Sequence, residues 1–144
     1  MMNETKHLSL EVIWKDDDMF ELKVSVNNGR YSGITEVYDQ RNPLYDFALK
    51  LNGFPNGQEK ISHSAGEKDS YAFFEMVFYP IDPTGKVGVL VTMEENVATE
   101  YRDNEKDKLK LELIVEPASI DNFRKELQKL AANEDGKAQL IGIK

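Results

Sequence analysis

The feature that most constrains this chain is a run in which every second residue is apolar without exception. Phe20, Leu22, Val24 and Val26 alternate with Glu21, Lys23, Ser25 and Asn27. Side chains of a strand point alternately to opposite faces, so this rhythm predicts a strand with one buried and one wet face. The preceding stretch has the same period with one exception. Leu8, Leu10, Val12 and Trp14 are apolar and Ser9 and Glu11 polar, but Ile13 breaks the pattern. Asp16, Asp17 and Asp18 separate the two runs, which predicts a hairpin. Asn27-Asn28-Gly29 is a turn signal and leads into a third strand near Tyr31 to Tyr38.

The period then changes. Asn42 suits a helix N-cap and Pro43 the first turn, where a missing N–H costs nothing. Leu44, Phe47, Ala48 and Leu51 follow as one helical stripe, and Asn52-Gly53 ends it. Residues 56–70 read as a loop with a short strand around Ile61. Tyr71 to Tyr79 is almost wholly apolar, broken by Glu75, and predicts a central strand covered on both faces. Asp82-Pro83-Thr84-Gly85 predicts a hairpin turn, followed by a strand through Val87, Val89, Val91 and Met93. Glu94 to Lys108 reads as a long polar connection. Leu109, Leu111, Leu113 and Val115 form another strand, and Ser119 caps a second helix with Ile120, Phe123, Leu127, Leu130 and Ala131 on one stripe. Gln139 to Ile143 reads as a short edge strand or a tail. Helices placed after blocks of strands predict an α+β fold, mainly an antiparallel sheet of about six strands with two amphipathic helices packed on it. The whole chain, 1–144, reads as a single domain with loose ends at 1–6 and 137–144. A faint echo between the two helices fits a duplicated strand-strand-strand-helix unit, but two independent amphipathic helices account for it as well and are the expectation here.

Composition narrows the function classes. The chain has 144 residues and no cysteine, which removes disulfides and thiolate metal sites. It opens without a basic, then apolar, leader and holds no apolar run long enough to span a bilayer, so a cytoplasmic protein is expected. Its net charge is −8, from 18 basic and 26 acidic residues. That charge repels nucleic acid and anionic membranes and suits a basic protein partner.

Catalytic patterns begin and fail. Pro83-Thr84-Gly85-Lys86 lacks the earlier glycine and the following hydroxyl of a phosphate-binding loop; Pro80 and Val87 stand there. Ser62-His63-Ser64-Ala65-Gly66 lacks the first glycine of a nucleophile elbow and has no helix after it. No carboxylate that would orient His63 is identifiable. His7 and His63 are the only histidines, too few for zinc without carboxylate help. Asp16, Asp17 and Asp18 carry oxygen ligands for a hard cation, but Phe20 and Leu22 follow where a calcium loop needs more. Glu75 is a buried acid or a residue on the wetter face of its strand. No catalytic residue, metal ligand or cofactor is assigned.

Four stretches together resemble uncharacterised bacterial domain-of-unknown-function proteins, some of them immunity-like: Gly29-Arg30-Tyr31-Ser32-Gly33 leading to Glu36-Val37-Tyr38; Leu44 to Pro55; Gly85-Lys86-Val87-Gly88-Val89; and Val115-Glu116-Pro117 before Ile120, Phe123 and Leu127. The resemblance implies a small protein that binds another protein without catalysis. The expected contact residues are Asp16, Asp17 and Asp18 with Glu94, Glu95, Glu100, Tyr101, Arg102 and Asp103. Tyrosine and arginine are enriched at interface hot spots. A competing expectation is a small-molecule or peptide pocket between helices and sheet, lined by Trp14, Tyr38, Phe74 and Phe78. A third is a hydrolase built on His63, Glu75 or the Asp16–Asp18 turn. Oligomeric state is not legible.

Overall fold

The computed structural model describes residues 5–57, 59–67, 71–96 and 106–143. Among these, eight antiparallel strands form two four-stranded sheets, joined by two helices, an α+β fold. The first sheet contains β1 (His7–Lys15), β2 (Phe20–Asn27), β3 (Ser32–Asp39) and β8 (Lys137–Ile141), in the order β3-β2-β1-β8. The second contains β4 (Ile61–Gly66), β5 (Ala72–Pro80), β6 (Val87–Asn96) and β7 (Lys106–Val115), in chain order. The helices are α1 (Arg41–Lys50) and α2 (Pro117–Asn133). The expected sheet of about six strands is therefore two sheets. Residues 137–141 are not a loose end but an edge strand on β1, with Leu140 opposite Leu8.

The alternating residues behave as the period demands. Phe20, Leu22, Val24 and Val26 are all buried. In β1 the pattern-breaking Ile13 is a β-bulge: Val12 pairs with Leu22, but Trp14 pairs with Glu21. An extra residue in one strand reverses the faces beyond it. Trp14 is thus moved from the core face to the outer face.

The sheets meet where β3 passes across one end of the second sheet. Gly33 lies against β7, where a Cβ would stand 2.6 Å from Leu109 Cδ2. Thr35 Oγ1 donates to the Glu94 carbonyl of β6 at 3.4 Å. Val37 packs beside Gly66 of β4, whose φ of +77° also favours glycine. Asp39 ends the crossing at His63 of β4. Glycine at positions 33 and 66 lets two sheets approach where side chains would hold them apart.

The helices fill the remaining space. α1 starts two residues earlier than Asn42 predicts, with Gln40 at the N-cap and no side-chain cap. Pro43 still falls in the first turn, where its missing N–H is harmless. α2 has Pro117 rather than Ser119 at its start and buries the predicted stripe: Ile120, Phe123, Leu127, Leu130 and Ala131. It lies against α1 and β8.

Phe78 of β5, fully buried, is where sheet and helices join. Its ring centroid lies 5.7 Å from Phe47 of α1, 6.4 Å from Phe54 just beyond α1 and 6.3 Å from Phe123 of α2. Phe78→Ala is expected to lower unfolding free energy by about 3–5 kcal/mol, because a cavity opens among three rings that cannot all collapse into it. Urea denaturation would show this as a lower midpoint at unchanged slope, with Phe78→Leu falling between.

Candidate partner-binding surface

The predicted contact residues fall in different places. Asp16, Asp17 and Asp18 form the exposed β1–β2 turn. Asp16 is committed to that turn, its Oδ1 accepting from Asp18 N at 2.8 Å and Met19 N at 2.9 Å. Asp17 and Asp18 face water. Glu94 and Glu95 belong to β6, not to a connection, because the strand continues to Asn96 and β7 begins at Lys106. Glu94 is buried, whereas Glu95 is exposed. Glu100, Tyr101, Arg102 and Asp103 lie outside the described residues.

The acidic turn borders an open groove of about 690 Å³ between the start of α1 and the end of α2. Arg41 and Glu134 close its far side with an ion pair of 3.2 Å. On the adjoining outer face of the first sheet, Trp14 and Tyr38 flank Glu21 across three strands. Their rings meet edge to face, with centroids 6.0 Å apart, and they remain 46% and 53% exposed. The aromatic pair and the groove share two chain segments, Trp14-Lys15-Asp16 and Tyr38-Asp39-Gln40-Arg41. Nearer the middle of the same face, Lys137, Glu11, Lys23 and Glu36 fall opposite one another in register and alternate in sign across the four strands.

This arrangement corrects the expected aromatic pocket. Phe74 and Phe78 are fully buried in the core, whereas Trp14 and Tyr38 lie on the opposite side of the first sheet. The bulge at Ile13 accounts for Trp14, and strand parity for Tyr38, whose neighbours Val37 and Asp39 turn inward. The four rings line no common cavity.

The groups suggested for hydrolysis are also separated. His63 points inward from β4, while Ser62 and Ser64 are exposed on its other face. Glu75 is half-buried on the outer face of β5, opposite Ser64 and Thr92. His7 begins β1 opposite Asn27, at the far end of the first sheet from Asp39. His63 does have a carboxylate partner: its Nε2–H donates to Asp39 Oδ2 at 2.7 Å. Both side chains are buried, and the Phe47 ring lies 5.6 Å from the imidazole. Asp39 Oδ1 also accepts from Gln40 N at 2.8 Å. The pair has the form of an acid–base couple, but it is enclosed and the neighbouring Ser62 and Ser64 lie on the other face of β4; it joins β3 to β4 beside the start of α1. Sequence offered one signal for Asp39. It continues the inward series of Thr35 and Val37, and a carboxylate on a core face needs a partner.

Among the described residues, no three His, Asp or Glu side chains gather to hold a metal ion, and no helix is long and apolar enough to cross a membrane. Asp39→Ala or His63→Ala alone is expected to cost about 3 kcal/mol, since each leaves a buried polar partner behind. The double variant should cost clearly less than the sum of the singles in a denaturation cycle. Simple additivity would show that the two groups are not coupled.

Comparison of the chain with protein-family models, with curated proteins and with solved structures finds no match in any of the three.

Proposed function

We propose that this is a non-enzymatic protein-binding domain, immunity-like in character, that takes a basic partner at the Trp14–Tyr38 end of its first sheet. The observation that carries the reading is the exposed pair of rings. Large aromatic side chains are seldom left in water beside one another on a sheet face, and tryptophan and tyrosine concentrate binding energy when a partner covers them. The rings also offer their faces to a lysine or arginine.

Charge gives the partner its sign. Glu21 lies between the rings and Asp17 and Asp18 project from the neighbouring turn, outnumbering the exposed Lys15 beside Trp14, while Glu36 is opposed by Lys23. The chain's overall charge of −8 adds a long-range field of the same sign. Such a field chiefly speeds encounter and weakens with salt, while the desolvated rings set residence time.

The combined variant Trp14→Ala/Tyr38→Ala is expected to fold normally, because both side chains are half in water. It should weaken binding by about 2 kcal/mol or more, roughly thirtyfold. Affinity capture from the native host at low and high salt, followed by titration of the purified partner, measures this. A basic protein retained by the native chain at low salt and lost with the variant supports the reading. Identical capture by both chains, or no specific protein at either salt, would sink it.

A further inference from the structure

The opposite end of the first sheet carries the opposite charge. There a cleft of about 700 Å³ separates the β2–β3 turn from the outer edge of β7. Among the described residues, four cations line it, Lys6, Arg30, Lys86 and Lys110, against one carboxylate, Glu112. In a chain of net charge −8 this concentration runs against the average. Tyr31, exposed to 64%, stands at the rim. The turn that presents Arg30 and Tyr31 is fixed by Asn28, whose Oδ1 accepts from both of their backbone N–H groups at 3.0 and 2.9 Å.

One wall of the cleft is a sheet edge. Among the described residues, β7 has a strand partner, β6, on one side only. Backbone groups of an antiparallel strand point to alternate sides, and Ile143 N donates to the outward carbonyl of Ile114 at 2.8 Å. By that parity the N–H and C=O of Lys110 and Glu112 also point away from β6, into the cleft. Among the described residues, Ile143 begins a fifth-strand pairing that nothing continues.

We propose that this cleft binds an acidic protein segment in extended conformation, added as a fifth strand to the edge of β7. Backbone bonds to Lys110 and Glu112 would supply register-independent affinity, as in other strand-addition modes. Lys6, Arg30, Lys86 and Lys110 select acidic side chains, and Tyr31 shields one end. The edge from Lys110 to Leu113, short of the Ile114 carbonyl that Ile143 occupies, is about 10 Å at a strand's rise, which suits roughly three residues. This surface is distinct from the acidic one, because the two turns lie at opposite ends of β2.

The test uses a fluorescein-labelled peptide alternating glutamate and valine, titrated into the intact protein by fluorescence anisotropy. Amide hydrogen exchange is followed by NMR. Saturable binding that weakens with salt is expected, with slowed exchange at the Lys110 and Glu112 amides. Arg30→Glu/Lys110→Glu should weaken binding by roughly tenfold or more at unchanged melting temperature, and the same peptide with every amide N-methylated should bind far more weakly. Equal binding of the N-methylated peptide overturns strand addition. So does displacement by inorganic phosphate with no change in exchange at Lys110 and Glu112, because either result would reduce the cleft to a site for simple anions. Absence of binding overturns the proposal outright.

Discussion

Packing of phenylalanine rings around Phe78 is the constraint on which the rest of this structure depends. Two amphipathic helices and two half-wet sheets each need a surface to cover their apolar side. Phe78 projects from a central strand of the second sheet and meets Phe47, Phe54 and Phe123. Both helices are thereby located against that sheet. Their other contacts then follow: α2 rests on α1 and β8, and α1 reaches β4. The buried Asp39–His63 hydrogen bond adds direction to this non-directional packing, because it fixes where β3 ends relative to β4 and α1.

Much of this was legible in the residues. The period of β2 is unbroken, and all four inward residues are core. The stripe of α2 was readable from Ile120 to Ala131 because a helix of that length repeats its signal several times. Departures have physical causes. Ile13 was visible as an irregularity, but one residue out of step does not say whether the strand tolerates it or bulges. The bulge decides the side on which Trp14 emerges. Strand order depends on distant partners, so local periodicity could not reveal that β8 returns to β1 or that the strands divide into two sheets. Residues 94–96 and 106–108 have the polar composition of a loop, yet their backbone remains paired; Glu95 and Asp107 reach water, whereas Glu94 and Asn96 are polar side chains buried at the end of the sheet.

The candidate surfaces were partly readable in the same sense. The Asp16–Asp18 turn announced itself by composition. Its relation to Trp14 and Tyr38 did not, because these aromatics have the composition of core residues and only the register shows them facing out. The cations of the β7 cleft come from four separate stretches of chain, and none is conspicuous alone. Both candidate surfaces lie at strand ends. Turns there bring charge together, while the strands between them hold it at fixed spacing.

The pairing of β8 with β1 has a consequence for the order in which the chain can become structured. Its three opening strands form two local hairpins, yet Leu8 and Leu10 border a neighbour that is synthesised only after α2. A nascent chain on the ribosome therefore carries a greasy, half-finished sheet from the time β1–β3 emerge until β8 does. Closure of such distant contacts is slow relative to hairpin formation. Until β8 emerges, that bare edge and the apolar surface beside it are open to chaperones and to strands of other nascent chains.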